Sequence, residues 1–445
     1  MEIKIISREN IKPSTPTPDH LRLYKISLLD QIIPPAFVPA VLYFAPGSTS
    51  VSQRTQLLKD SLALTLTHFY PLAGVIRDAF SIDCNDEGLP FFVANVKGLL
   101  SDFLDRPDVL FINRMIPGEF SWDEAAGPGS NVGTVQLNCF DCGGTAICLI
   151  FAHHVGDATT LCTFLKSWAA AANDPVQILR PDYIAQSAFP QQPSMPKESY
   201  LFYPLQKFLK IGKFVTMRYV FDASAISNLK AQSTSSNDDH STRVEVVSAF
   251  IWKCFMAAVD EESSNDHKPF LLTHPLNLRR RAEPQFPDNS FGNFLWLAAA
   301  QCGNPSTDKD LKELVKEVKR AMGRVDKQFM KRMKSEDGYY ENVEELRQGI
   351  PEEANWLAFS SWCKIGFYEV DFGWGRPVWV SGFVSGDSDT VLPNSATLVE
   401  TRSGDGMEAW VILDDRYAAA FQKNEELLLC ACFNPTVFIV NKIET

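Results

Sequence analysis

Apolar residues fall at helical spacing in two stretches of the chain, 51–68 and 158–173 (ATTLCTFLKSWAAAAN), and the spacing predicts a helix over each. Shorter apolar runs without that period occupy 36–44 (AFVPAVLYF), 90–95 (PFFVAN) and 145–152 (TAICLIFA), as buried strands do. Another strand is predicted at 216–222, and strand-like runs follow at 377–384, 396–400, 407–413 and 436–441. Leu311, Leu314, Val315, Val318, Met322, Val325 and Phe329 share one helical face, with Lys and Glu on the other. That pattern predicts an amphipathic helix over 308–334.

The intervening segments are polar or proline-rich. Residues 1–20 read as an extended lead-in and 233–242 (STSSNDDHST) as a polar loop. Over 174–213, Pro175, Pro181, Pro190, Pro193, Pro196 and Pro204 interrupt a stretch with no sustained period, which reads as a linker or crossover. Strands and helices mix on both sides of it. The predicted class is α/β or α+β in two domains: residues 1–180, a crossover at 181–215, and residues 216–445.

The chain of 445 residues has a net charge of −12, which argues against nucleic acid or an anionic membrane as a partner. Its 31 phenylalanines suit an aromatic core more than a ligand pocket. Among ten cysteines only Cys139 and Cys142 form a C-x-x-C, and no second ligand pair completes a zinc site, so no metal is expected. The opening MEIKIISREN lacks an apolar signal region, and no apolar run reaches membrane-spanning length. A cytoplasmic protein is expected.

Seven histidines are present, and one sits in a suggestive context. In F-A-H-H-V-G-D (151–157) an apolar strand runs into His153, Gly156 permits a turn, and Asp157 stands where the next helix begins. A strand end projects its side chain into the crevice beyond a sheet, and an imidazole there can accept a proton near neutral pH. Asp157 has two readings: it orients the imidazole directly, or it caps its helix and pairs with an arginine. The cap position favours the second. The spacing by itself fits a capped loop as well as an active site. Signatures of serine hydrolases, P-loop NTPases, zincins and dinucleotide-binding folds are missing.

A second landmark lies more than 200 residues downstream, in S-S-W-C-K-I-G-F-Y-E-V-D-F-G-W-G-R-P (360–377). His153-x-x-x-Asp157 followed by Asp371-Phe372-Gly373-Trp374-Gly375 resembles the paired signature of the plant BAHD acyl-CoA-dependent acyltransferases. Further segments resemble the same family along nearly the whole chain: Phe69–Gly74, Gly143–Ala146, Phe250–Lys253, Asn277–Arg281, Phe291–Asn293 and Thr401–Gly406. The opening I-K-P-S-T-P-T-P and L-Y-K-I-S-L-L-D-Q is similar to the branch containing vinorine synthase and related alkaloid and terpenoid acetyltransferases.

The resemblance implies two similar-sized α/β domains of the chloramphenicol-acetyltransferase type, with a solvent channel between them. His153 would then be the general base that activates an acceptor hydroxyl toward acyl-CoA, most simply acetyl-CoA, with no acyl-enzyme. The acceptor would be a small-molecule alcohol such as an alkaloid or terpenoid, and the enzyme a monomer. Trp362, with Ser360 beside it, would stabilise the oxyanion; the alternative for Trp362 is a core tryptophan. Ser241, Thr242, Arg402 and Ser403 would lie near the cofactor. Asp371, Gly373 and Gly375 are expected to be structural, with Asp371 paired to Arg279 or Arg281 and Asp157 using the other arginine. Benzoyl, hydroxycinnamoyl or malonyl transfer, N-acylation, and a silent ligand-binding relative are the alternatives on this scaffold.

Overall fold

Serine and aspartate caps set where the two predicted helices begin. The Ser50 hydroxyl accepts from the Gln53 amide and the Gln53 side chain accepts from the Ser50 amide, which opens the helix Val51–His68. Asp157 caps the helix Ala158–Asn173 by accepting from the Thr160 amide at 2.9 Å. The second helix buries Leu161, Phe164, Leu165 and Trp168, and the Trp168 indole donates to the Leu58 carbonyl of the first at 2.9 Å. The two helices therefore pack on each other, in the core of the first sheet. The computed structural model describes residues 1–117, 126–233, 241–262, 267–303, 310–335, 337–382, 384–385 and 390–438.

Among the described residues that sheet has six strands, ordered Glu2–Ile11, Leu89–Lys97, Gly133–Phe140, Thr145–Ala152, Phe37–Phe44 and Trp379–Ser381. Thr145–Ala152 is buried along its whole length, which explains its unbroken apolar run. A seven-stranded sheet follows, ordered Leu295–Cys302, Phe270–Asn277, Asn355–Ser361, Asn394–Glu400, Met407–Asp414, Phe214–Phe221 and Cys432–Phe433. Each sheet carries its own hydrophobic core.

Three expectations change. Residues 2–11 of the lead-in form an edge strand, antiparallel to Leu89–Lys97; nearly all of it is exposed, so it has no apolar face to read. The predicted helix over 308–334 is broken into Leu311–Gly323 and Lys327–Met333. Gly323 weakens the helix there, and Asp326 restarts it by accepting from the Phe329 amide, yet all seven apolar residues of the predicted face are buried. In 436–441, the described residues 436–438 are not strand, and the rest lies outside the described residues. Most of the 233–242 loop also lies outside them.

The strand within 377–384, Trp379–Ser381, joins the first sheet beside Phe37–Phe44. The second half of the chain thus lends a strand to the first. A buried ion pair secures this join: Arg218 donates to Glu408 at 2.7 Å with both side chains fully buried, and Glu408 also accepts from the Trp379 indole at 3.2 Å. The proline-rich stretch carries only short elements, among them Ala185–Ala188 and Tyr203–Phe208, and anchors itself to the second core through Phe189, Met195, Leu201 and Leu205.

Candidate active site

At the end of the Thr145–Ala152 strand the chain makes a tight turn over His153–Val155. The His153 amide donates to the Ala36 carbonyl at 2.7 Å, and its carbonyl accepts from Nδ2 of Asn293, also at 2.7 Å. Gly156 is required by space, because a Cβ there would come within 2.7 Å of the Thr160 methyl. So held, the imidazole lines a cavity of about 1270 Å³. Burial lowers the His153 pKa from its ordinary 6.5, against the opposing pull of its own carbonyl, Asp157 and Asn293, so the ring is neutral at neutral pH. Its Nδ1 is sealed from solvent and has no hydrogen-bond partner, which leaves Nε2 as the nitrogen for an incoming group. His154 is buried away from the cavity, and burial pushes its pKa down to about 4.

Asp157 does not orient that ring by a hydrogen bond. Its carboxylate is filled by other donors: Nη1 of Arg279 at 2.6 Å, Nη2 of Arg279 at 3.1 Å, the Thr160 amide at 2.9 Å and the Phe294 amide at 3.0 Å. Burial alone would raise its pKa, but the Arg279 guanidinium and the amide donors outweigh burial and hold it below the usual carboxylate range. Nη2 of Arg279 also donates to the carbonyls of Ser290 at 2.9 Å and Gly292 at 3.0 Å. The pair staples the His153 loop to the second half of the chain.

The expected pairing of Asp371 with Arg279 or Arg281 is not what forms. Asp371 accepts from the amides of Gly373 at 2.8 Å and Gly375 at 3.0 Å, both glycines having positive φ. Those amides lie two and four residues away, whereas Arg279 is taken by Asp157 and Arg281 donates to the carbonyls of Met322 and Val325. Phe372 is fully buried between Trp168 and Phe44, at 5.1 and 5.8 Å between ring centres. The loop closes on itself as a plug in the first core.

Sequence reasoning missed two residues that hold His153 in place. Asn293, besides binding the His153 carbonyl, donates through its amide and Nδ2 to Oδ1 of Asp30 at 2.6 and 2.9 Å. Asp30 also accepts from the Ser27 amide and hydroxyl, and burial pushes its pKa up to about 6 despite these bonds. Phe291-Gly292-Asn293 stood out only as a resemblance, and nothing local ties Asp30 to a histidine 123 positions on.

The second sheet supplies the facing wall of the cavity. Trp356 and the run from Ala358 through Ser360 and Trp362 to Cys363 line it from one strand and its extension. A Cβ on Gly382 would meet the Trp362 ring at 2.9 Å, so the glycine makes room for the indole. Two ion pairs line the cavity, Lys166 with Glu369 at 2.5 Å and Arg280 with Asp288 at 2.8 Å, and Arg281 and Lys364 line it as well.

Ser241, Thr242, Arg402 and Ser403 do not line that cavity. Thr242 caps the helix Arg243–Glu262, accepting from the Glu245 amide at 3.2 Å. Arg243, which the sequence did not single out, donates to the carbonyls of Gly404 at 2.6 Å and Asp405 at 3.1 Å, so the 241–243 and 402–405 segments meet. The charge of Arg243 reaches the thiol of Cys363, which does line the cavity. Among the described residues no cluster of three metal-ligating side chains occurs, and no helix is long and apolar enough to cross a membrane.

Comparison with known proteins agrees with this geometry. The family described as Transferase matches residues 1–428. The chain is 38% identical to epi-neemfruitin B 7-O-acetyltransferase of Melia azedarach over 452 residues, 98% of this chain and 100% of that one. It is also 38% identical to limonoid 7-O-acetyltransferase of Citrus sinensis over 456 residues, 98% and 99% of the two chains. The crystal structure of vinorine synthase superposes with a TM-score of 0.81 at 31% identity, covering 96% of this chain and 98% of that one. The two-domain α/β fold, the match along the chain and the histidine opening on a cavity agree: the protein belongs to the BAHD acyl-CoA-dependent acyltransferase family.

Proposed function

We propose that the protein is an O-acetyltransferase that moves the acetyl group of acetyl-CoA onto a hydroxyl of a terpenoid or alkaloid, with His153 as general base. The observation that carries this reading is the neutral imidazole of His153, which faces a cavity of about 1270 Å³. The relatives named as limonoid 7-O-acetyltransferase and epi-neemfruitin B 7-O-acetyltransferase favour acetyl as the group transferred and a terpenoid as its acceptor.

An alcohol is a weak nucleophile, so Nε2 of His153 takes the hydroxyl proton as the oxygen attacks the thioester carbonyl carbon. The tetrahedral oxyanion needs a fixed donor, a role assigned to the Trp362 indole with Ser360 beside it. Collapse breaks the carbon–sulfur bond, and the imidazolium returns the proton to the departing thiolate. Asp157 and Arg279 brace the loop without touching the reacting atoms. Asp371, Gly373 and Gly375 are structural, and Arg281 anchors the segment beside Arg279. Ser241, Thr242, Arg402 and Ser403 receive the polar end of coenzyme A, with Arg243 between them.

In this reading the two domains divide at the 181–215 crossover, and the enzyme works as a monomer in the cytoplasm, where its ten unpaired cysteines fit a reducing environment. The test is product formation, read by mass spectrometry, with a panel of acyl-CoA donors against triterpenoid and alkaloid alcohols. Acetyl transfer to a hydroxyl that requires His153 supports the reading; transfer undiminished in His153→Ala overturns it.

A further inference from the structure

We propose that Thr397 and Ser395 set which acceptor the enzyme takes: their hydroxyls bind a second oxygen of a neutral polycyclic alcohol whose reacting hydroxyl lies at His153. The proposal rests on the reading of His153 as the base and of the 241–243 and 402–405 segments as the place of the polar end of coenzyme A. It adds the chemistry and the spacing of the acceptor.

The register of the second sheet divides the cavity wall into levels. The histidine loop meets that sheet at the C-terminal end of the Phe270–Asn277 strand. There Nδ2 of Asn277 donates to the Thr159 hydroxyl at 3.2 Å, and Asn293, which holds the His153 carbonyl, lies two residues before Leu295, the partner of Asn277. Thr273 lies beside Ala358 and Ser361 beside Leu398, both in parallel register, so Trp362 and Val399 fall level with Asn277. That level is the reacting one. The segment 402–405 lies past it and meets Arg243. Acetyl-CoA therefore comes from the side past that level, and the strand positions before it are left for the acceptor. One step back, at about 7 Å, Thr397 sits between Ser360 and Trp410; two steps back, at about 13 Å, Ser395 sits between Ala358 and Ile412.

Ser395 and Thr397 alternate with Ala396 and Leu398, which are buried in the second core, and are themselves partly exposed and line the cavity. Trp410 and Ile412 line it likewise, while Ala409, Val411 and Leu413 belong to the second core. Among the described residues neither hydroxyl has a hydrogen-bond partner. Of their neighbours on the same levels, Ala358, Trp410 and Ile412 are apolar, and the Thr273 hydroxyl already accepts from the Trp356 indole at 2.9 Å. A hydroxyl open on such a wall makes no bond within the fold, yet it fixes the orientation of a ligand. It both donates and accepts, so it suits a carbonyl, ester, ether or hydroxyl oxygen. The cations Lys364, Arg280 and Arg281 follow Trp362 and Asn277 in the chain, past the reacting level, and none of the charged residues that line the cavity stands on the levels of Thr397 and Ser395. An uncharged ring skeleton fits there, rigid enough to hold its oxygens about 7 or 13 Å apart.

The test uses triterpenoid diols whose second oxygen lies at different distances from the first, against the mono-alcohol of the same skeleton. Isothermal titration calorimetry without acetyl-CoA gives Kd, and initial rates give KM for both substrates. The wild type is expected to bind a diol with oxygens about 7 or 13 Å apart roughly 3- to 10-fold more tightly than the mono-alcohol. Thr397→Val should remove the preference at the shorter spacing and Ser395→Ala at the longer, with KM for acetyl-CoA and binding of the mono-alcohol unchanged. Thr397→Ser, which keeps the hydroxyl, should retain the preference. If Thr397→Val does not fold, Ser395→Ala decides by the same comparison at the longer spacing. A wild type that binds diols and mono-alcohol alike, or a double variant that keeps the preference, overturns the proposal. So does a rise in KM for acetyl-CoA alone, which would place these hydroxyls on the pantetheine arm. Undiminished transfer in His153→Ala would instead sink the reading of His153 as the base, a result separate from the binding preference.

Discussion

The two motifs most conspicuous in the sequence, His153-x-x-x-Asp157 and Asp371–Gly375, use an aspartate in the same local way and come to opposite ends. Both carboxylates accept main-chain amides a few residues on: Thr160 for Asp157, Gly373 and Gly375 for Asp371. The Asp157 carboxylate then reaches across the molecule to Arg279, and the loop it caps carries an imidazole to a cavity wall. The Asp371 carboxylate stays within its own turn, and the aromatic it carries, Phe372, is driven into the first core. A glycine-rich motif around an aspartate is therefore no guide to chemistry. What separates the two loops is whether a titratable ring is left facing open space.

The sharpest way to break this contrast is to remove the ring. His153→Ala is expected to lower kcat/KM for acetyl transfer by on the order of 10²–10⁴-fold with little change in melting temperature. A comparable loss in Asp371→Ala at full stability would erase the distinction between the loops. Next in size is the cross-molecule staple. Asp157→Ala leaves Arg279 buried without its partner, and such a broken pair costs about 3–5 kcal/mol, readable as a shift in the denaturant midpoint. A variant as stable as the wild type would show that the staple carries no strength.

Acid should destabilise the fold through its buried histidines. Burial lowers His154 and His274 from 6.5 to about 4 in the folded chain. As pH falls below about 6.5 the unfolded chain takes up protons that the folded chain refuses until about 4, so stability is complete above that window and lost through it. At about 1.4 kcal/mol per pH unit this is roughly 3 kcal/mol for each histidine. Asp30 runs the other way, because its folded carboxyl takes up a proton near 6 and the unfolded one near 3.8, offsetting about one histidine. Denaturant titrations that gave equal stability at pH 7 and pH 5 would contradict this. The smallest effect belongs to Asp371→Ala: two amide bonds at about 1 kcal/mol each should lower the Tm by a few degrees and change kcat little.

Much of this was legible in the sequence wherever one element carried the whole signal. The helices Val51–His68 and Ala158–Asn173 took the bounds their periodicity implied, and the cap at Asp157 told its role better than its spacing from His153 did. The edge strand Glu2–Ile11 was illegible because an exposed strand has no apolar face. The break after Gly323 was hidden because both helices bury the same stripe. Arg279 was named as a partner but matched to the wrong aspartate as readily as to the right one, since the choice depends on which carboxylate the fold brings within 2.6 Å. Asn293, Asp30 and Arg243 act through contacts across more than 100 residues, which no local pattern encodes.

That Nε2 of His153 is the base can be tested most directly by the pH dependence of kcat/KM for acetyl transfer, wild type against His153→Ala. Because burial lowers the pKa of His153 below its ordinary 6.5, the wild-type rate should stay level through neutral pH and fall only at lower pH, while the residual activity of the variant lacks that fall. The same acid fall in a folded His153→Ala would mean that some other group accepts the proton.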